Sequence, residues 1–413
     1  MKKKEKKYGL VKAVGFFVIV AIILSWLIPV GSLTASGYAS ESMPNRVGFS
    51  DLALIFYHGI QYGIDKIIML LVIAGLYGIL GKIPVYQDIV TSFAKKLEKR
   101  KKIFVVVVSV LIALLTSVLN ATLTVLIFVP FIIAVLSRMK LDKMTVMATT
   151  FGSMLVGIMG ATYGTEGVAG FSSYLMSESF KLNSTVLVRF GILAIGLILF
   201  NFLVISHMSR EAKKKNSEEA TEMFPIEIEE GTKKSSKAPL IIISALAFIL
   251  IVVGSFNWFN NFGLEIFTKF HTTVSEVKIG ETFYIFQSIL GSDFGAIGSW
   301  DTFTLVPLVF LITVLIAVCY KVKLNDFISN YMDGTKRVIK PILCVMGAFM
   351  VMVVVYMSPY ISTIMNFLLT KTDGFNLATM SLVALIANIF HTDMAFSGFM
   401  FGEYLAVEYV DYI

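Results

Sequence analysis

Residues 103–136 run IFVVVVSVLIALLTSVLNATLTVLIFVPFIIAVL, 34 positions without a charge, between the basic KKLEKRKK of 95–102 and the Arg138, Lys140 and Lys143 that follow. A membrane-crossing helix needs about 20 apolar residues, so the run is too long for one crossing and too short for two with a proper turn. Both flanks are basic, and Lys and Arg mark the cytoplasmic ends of membrane segments. Two half-length helices, or a re-entrant hairpin that enters and leaves on the cytoplasmic side, satisfy both facts, and the hairpin fits the length better. Its centre falls at Leu119 and Asn120, followed by Thr122. An amide and a hydroxyl then sit near the bilayer midplane, where polar groups persist only against protein or lining a cavity.

The rest of the chain agrees with a membrane setting. Of 413 residues, 56% are apolar and 15% charged, too little polar surface to cover a water-facing globule. A soluble enzyme and a disordered protein are excluded, and the apolar runs suffice for about eight crossings. Cys319 and Cys344 each lie inside an apolar run, so neither a disulfide framework nor a cysteine metal site is on offer. The net charge of +7 is concentrated: five clusters, at 2–12, 95–102, 138–143, 210–237 and 321–340, hold 27 of the 35 Lys and Arg. They are expected to share the cytoplasmic side of a cell membrane, which accounts for the positive charge without a nucleic-acid partner.

From a cytoplasmic N-terminus, a span at 13–30 runs outward, and 31–50 is external. Residues 64–83 return inward, and the hairpin 103–136 follows. After Lys143 the chain runs outward through a Gly-rich stretch whose Gly160, Gly164 and Gly167 predict a helix broken around 162–167. A span at 190–207 leads into a charged linker at 209–238, and further spans lie at 239–256, 302–320 and 341–358. The last run, 375–407, is again long and poor in charge, with Asn388, His391, Thr392 and Asp393 at its centre. Its flanks hold Asp373, Glu403, Glu408 and Asp411 but only Lys371, which predicts a second hairpin entering from outside. The domain reading is therefore a first repeat at 1–208, the linker 209–238, and a second repeat at 239–413.

Shifting the first half by 275 residues pairs Gly59 with Gly334, Ile64 with Ile339, Ile67 with Ile342, Pro84 with Pro359, Ile89 with Ile364 and Lys96 with Lys371. The order of features repeats too: amphipathic stretch, Gly, span, Pro, then a neutral run with a polar centre. An odd number of crossings separates the copies, which makes them inverted repeats, an architecture of secondary transporters that places the binding site between broken helices. The first repeat continues about 70 residues past its hairpin, whereas the chain stops at Ile413, so the second repeat is expected to be incomplete at the C-terminus.

The stretches ILSWLIPVG (23–31) and GFSDLALIFYHGIQYGIDKIIMLLVIAGLYGIL (48–80), with the neutral run after KKLEKRKK, resemble the YfcC-like carriers, described as C4-dicarboxylate anaerobic carrier-like, within the ion transporter superfamily. In sodium-coupled dicarboxylate members of that superfamily each hairpin tip carries Ser-Asn-Thr, which binds substrate carboxylates while nearby carbonyls hold sodium. The resemblance places the first tip on Leu119, Asn120 and Ala121, where only the Asn matches, and the second near His391, Thr392 and Asp393, where no Ser-Asn-Thr remains.

The substrate-binding candidates are Asn120, Thr122, Thr162, Tyr163 and Thr165 in the first repeat and Asn388 and Thr392 in the second. Helix ends at breaks can face an anion with unsatisfied N–H groups or a cation with carbonyls; capping of short helices is the plainer role for the same residues. Glu166, His391 and Asp393 are the ion-coupling candidates, because ionisable groups inside a membrane are functional candidates by default. No HExxH-type metal spacing and no GxxxxGK[ST] is present, so no cofactor is expected and no metal beyond a transported sodium ion. The expected function is a non-enzymatic secondary transporter, moving a small carboxylate-bearing, dicarboxylate-like metabolite by symport with Na+ or H+ through alternating access. A homodimer is compatible with it. An amino acid transporter or exchanger of the same fold is the alternative. A membrane-embedded hydrolase using His391, Asp393 and Ser397, or a non-transporting scaffold, is more remote.

Overall fold

The computed structural model describes residues 9–40, 46–164, 173–174, 185–212, 219–224, 235–291, 294–372, 374–391 and 394–409. It is an all-helical, polytopic membrane protein: six helices among the described residues are long and apolar enough to cross a membrane, at Gly9–Leu27, Asp51–Leu80, Pro84–Val118, Val186–Glu211, Thr302–Cys319 and Ile339–Met357. The third is two helices, α3 (Pro84–Leu97) and α4 (Lys101–Val118), joined by a 3-10 turn at Glu98–Arg100. With α1 (Gly9–Leu27) and α2 (Asp51–Leu80) before them, they are followed by a 3-10 segment, Thr122–Ile127, and α5 (Val129–Arg138). The Gly-rich stretch forms α6 (Lys143–Met147), a π-turn at Ala148–Gly152 and α7 (Ser153–Met159). Next come α8 (Val186–Glu211) and α9 (Ala238–Gly254). The stretch expected outside the membrane holds α10 (Trp258–Phe262), α11 (Ile266–Ser275) and α12 (Ile285–Leu290). The chain ends with α13 (Thr302–Cys319), α14 (Leu324–Arg337), α15 (Ile339–Met357), α16 (Tyr360–Leu369), α17 (Leu377–Phe390) and α18 (Met394–Glu408). Among the described residues, sheet is confined to two small antiparallel hairpins, Gly31–Thr34 with Gly37–Ser40 and Lys278–Ile279 with Phe283–Tyr284.

Most expected spans coincide with helices, but α3, α14 and α16 stand where the sequence pattern had shown no separate helix. These three are amphipathic or begin at proline: Pro84 opens α3 and Pro359 precedes α16. The two neutral runs and the helices that precede them share an element order: a proline-led helix, a second helix that ends in extended backbone, and a further helix, α3, α4 and α5 in one and α16, α17 and α18 in the other. Compactness divides the chain differently from sequence halves. One unit joins Met1–Ile67, Glu166–Leu182 and Val338–Ile413; the other joins Ile68–Thr165 and Asn183–Arg337.

In the second unit, the run 103–136 turns back on itself. Lys101 Nζ, at the start of α4, donates to Met139 O, just past the end of α5, at 2.5 Å. Arg138 Nη1 reaches Thr91 Oγ1 of α3 at 3.2 Å, and Lys102 Nζ reaches Ser209 Oγ of α8 at 2.9 Å. At the same end Lys237 pairs with Asp88, and Tyr320 Oη donates to Ser236 O. The basic flanks of this unit thus gather at one end. Part of the charged linker is tied there as well: Ala220 N donates to Leu141 O, Arg138 pairs with Glu222, and Phe224 stacks on Tyr77.

The arm α4 packs on α7 through glycine. A Cβ on Gly157 would stand 2.5 Å from Ala113 O and 2.7 Å from Thr116 Cβ. Ser153 Oγ donates to Ser109 Oγ between the same helices. Close backbone approach with hydroxyl pairing is the usual way helices associate where lipid offers no hydrophobic gain. At the turn into α6, Asp142 caps the helix, accepting from Thr145 N and Thr145 Oγ1, and meets His207 Nε2 at 3.0 Å. Burial pushes its carboxyl up, but these hydrogen bonds and His207 outweigh it and hold the group below the usual carboxylate range.

In the first unit, α1 lies along α15, and a Cβ on Gly347 would fall 2.3 Å from Val14 Cγ1. Ala21, Ile55, Val354, Tyr360, Ile361 and Phe401 form its core. The hairpin at 31–40 is latched to α16 through Tyr38 Oη and Thr363 Oγ1, 2.9 Å apart, while Thr363 Oγ1 donates to Pro29 O at 2.7 Å.

Gly157→Ala is expected to lower the thermal midpoint of the detergent-purified protein, overpacking costing about 1–3 kcal/mol. Gly191→Ala, inside α8 with nothing within 4 Å of the added carbon, should not lower the midpoint and is expected to raise it, since Ala is the better helix former by up to about 1 kcal/mol. Asp142→Ala should destabilise by about 1 kcal/mol as a lost cap. Because the folded carboxyl titrates below the unfolded one, that difference is full above the ordinary carboxylate range and vanishes as pH falls through the depressed folded value. Melting curves of both proteins across pH measure it.

Candidate functional site

The helix α4 ends without glycine or proline. Leu119 and Ala121 adopt extended backbone around Asn120, and the groups freed by the break find partners in other breaks. Asn120 N donates to Ser255 O at 2.8 Å, and Asn120 Nδ2 donates to Gly298 O at 3.0 Å. Ser255 immediately follows α9, and Gly298 stands just before α13. The tip is therefore level with the ends of α9 and α13, not halfway along them. The reason is length: 18 residues of α4 rise about 27 Å, close to the roughly 30 Å hydrocarbon thickness. The expectation of a half-length arm with its tip at the midplane is corrected accordingly.

A second break meets the first. Past α7 the chain leaves helical geometry at Gly160. Thr162 N, Tyr163 N and Gly164 N then converge on Ser117 O at 2.9, 3.2 and 2.9 Å. Ser117 Oγ donates to Gly160 O at 2.7 Å and stands 2.9 Å from Thr162 Oγ1. Glycine is required at 164 by proximity, since a Cβ there would come within 2.9 Å of Leu119 O. The ring of Tyr163 packs on Phe262 and Phe256, with centroids 5.4 and 6.0 Å apart. Asn120, Thr162 and Tyr163 are thus brought together, with Thr122 opening the 3-10 segment beside them. Thr124 Oγ1 and Ser255 Oγ, both on residues fully buried here, have no hydrogen-bond partner among the described residues. Thr165 and Glu166, which the sequence placed at this break, lie outside the described residues.

In the first unit the candidates separate. Asn388 is exposed on α17, and its Nδ2 donates back to Ala384 O of the same helix at 2.7 Å. That satisfies the amide locally and leaves Asn388 out of any buried constellation, contrary to expectation. His391 caps the C-terminus of α17 with extended backbone and is 4% exposed. Its Nδ1 lies 2.8 Å from Ser397 Oγ, the serine that the hydrolase reading had paired with it. Thr392 and Asp393 are outside the described residues. Among the described residues no three His, Cys, Asp or Glu side chains are grouped as a metal site.

Sequence reasoning missed Ser117 and Ser255. The signal for Ser117 is weak, a small hydroxyl residue three positions before Asn120 in an otherwise aliphatic run. For Ser255 it is the Gly-Ser pair that ends the apolar stretch of α9.

No curated protein matches this chain. Among solved structures, the Alcanivorax borkumensis YdaH transporter is similar over 97% of this chain and 82% of its own, at 10% identity and a TM-score of 0.39, a likeness too loose for residues to be carried across. The family model described as C4-dicarboxylate anaerobic carrier, DcuC, matches residues 10–398, and the chain belongs to that family.

Proposed function

We propose that this protein is a secondary active carrier that moves a small carboxylate-bearing metabolite, of the C4-dicarboxylate kind, across the cytoplasmic membrane by alternating access, driven by a Na+ or H+ gradient. The family supports a carrier. The observation that carries the reading is the meeting of two helix breaks at the hairpin tip, where three successive N–H groups of 162–164 converge on one oxygen acceptor, Ser117 O. A concave run of N–H groups is an anion-binding geometry, and the same groups can exchange a carbonyl for a carboxylate when the tip moves.

In this reading Asn120, Thr122, Thr162 and Tyr163 line the substrate path of the second unit, with Ser117 as the positioning residue between the breaks. The repeated element order represents two inverted repeats, as in many carriers built from broken helices. The basic ends face the cytoplasm, the N-terminus with them. Coupling rests on an ion or proton bound together with substrate, since binding energy from the ion then shifts the equilibrium that loads the carrier.

Purified protein in liposomes should accumulate labelled fumarate when an inward ion gradient is imposed; uptake indifferent to every such gradient would remove the carrier reading. Asn120→Ala is expected to lower initial uptake at least about tenfold while leaving the size-exclusion profile intact. Ser117→Ala leaves Gly160 O without its hydroxyl donor, which should cost about 1–3 kcal/mol. Reduced uptake together with a lower melting temperature is the expected outcome, and wild-type values for both would remove Ser117 from the junction.

A further inference from the structure

Within the second unit, α3, α4 and α5 stand on one side, and α9 and α13 on the other, of an apolar cavity of about 640 Å³. Its walls include Phe93 of α3, Val107 of α4, Phe131 of α5, Ile241 and Phe248 of α9 and Ile312 of α13. The two sides meet where the rings of Phe128 and Phe248 stand edge to face, 5.0 Å between centroids. None of the described residues that line the cavity is charged. Tyr77, Tyr86 and Ser244 are the polar side chains of the wall, and Tyr77 Oη is engaged with Ile127 O at 2.8 Å. Phe93, Val107 and Ile241 are exposed, so the cavity opens sideways between helices, toward lipid in a membrane-spanning chain.

A dicarboxylate has no partner here, because its charges would face hydrocarbon walls. An acyl chain fits them. Side chains that face a gap lose dispersion contacts, which a hydrocarbon lying in it restores. From Leu240 to Ile251, both in the wall, α9 rises about 16 Å. That is close to half of the roughly 30 Å hydrocarbon core, the depth of one leaflet.

One end of the cavity is basic. On each of four helices the lining residue nearest that end is one turn from a cation on the same face: Phe93 from Lys96, Phe104 from Lys101, Val135 from Arg138 and Leu240 from Lys237. Lys101 and Arg138 are engaged with Met139 O and Glu222. Lys96 and Lys237 are exposed. Asp88 stands 3.4 Å from Lys237, with both groups about half in solvent, where such a pair contributes little. The stretch 95–102 sets six Lys and Arg against the single acid Glu98.

We infer that this cavity is a lipid site, which holds one acyl chain of an anionic phospholipid while the phosphate rests on Lys96 and Lys237. Basic groups bordering a cleft between membrane helices pair with anionic headgroups and leave zwitterionic ones less firmly held. The chain lies between the arms of the 103–136 run and α9. The site is separate from the junction around Asn120 and does not depend on the carrier reading.

Delipidated protein in detergent, titrated with palmitoyl-oleoyl phosphatidylglycerol and followed by native mass spectrometry, should bind one such lipid per chain at least about tenfold more tightly than phosphatidylcholine with the same acyl chains. Replacing both exposed lysines, Lys96→Gln with Lys237→Gln, should bring the two lipids to equal affinity. Ala245 lines the cavity and is exposed, so Ala245→Trp occupies the space of the acyl chain and should weaken binding of both lipids. Glycerol 3-phosphate, a headgroup without a chain, should not compete. Equal affinity of the wild type for the two lipids, or a preference that survives the double substitution, overturns the inference. So does full competition by glycerol 3-phosphate, which would mark a site for phosphate alone, or wild-type lipid binding by an Ala245→Trp protein with an unchanged size-exclusion profile. Should that variant misfold, the competition and the lysine variant decide.

Discussion

A buried backbone N–H or C=O left without a partner is costly, so a helix that stops inside the protein must find partners there for the groups it frees. Here they are supplied by other stopped helices. Ser117 O, at the end of α4, receives the N–H groups of Thr162, Tyr163 and Gly164. Ser255 O, at the end of α9, receives Asn120 N, and Gly254 O receives the N–H groups of both Gly298 and Trp300. Four interruptions in the second unit are thus tied into one junction by main-chain hydrogen bonds, and side chains such as Asn120 and Ser117 reinforce it.

The packing of the arms makes this junction reachable. Glycines at 157 and 160 bring α7 against α4 and α8 at backbone contact, with the two breaks at the same height as a result. At the opposite end Lys101, Lys102, Arg138 and Lys237 hold the helix ends and the linker together through hydrogen bonds and ion pairs. Such exposed pairs contribute little stability individually; their value here lies in keeping both feet of the hairpin at one end.

The two neutral runs solve the problem of interruption differently. The first closes its tip with backbone pairs and an amide; Thr124 Oγ1 and Ser255 Oγ have no partner among the described residues. The second places a buried imidazole at the end of α17 and holds its Nδ1 by Ser397, while Nε2 has no hydrogen-bond partner among the described residues.

Charge and length alone disclosed the membrane setting and most of the spans, because long apolar runs between basic clusters have few ways to meet a bilayer of fixed thickness. Asn120 and His391 were visible for the same reason, as polar residues in the middle of apolar runs. What only the tertiary structure decided was partnership. That Asn388 bonds back to its own helix while His391 is buried against Ser397, that the tip of α4 stands at the far end of α9, and that Ser117 and Ser255 join the junction around Asn120 all depend on which breaks face one another. Pairing between segments distant in sequence is set by close packing at glycines and by the demand of each freed backbone group for a partner, and neither leaves a periodic mark on the chain.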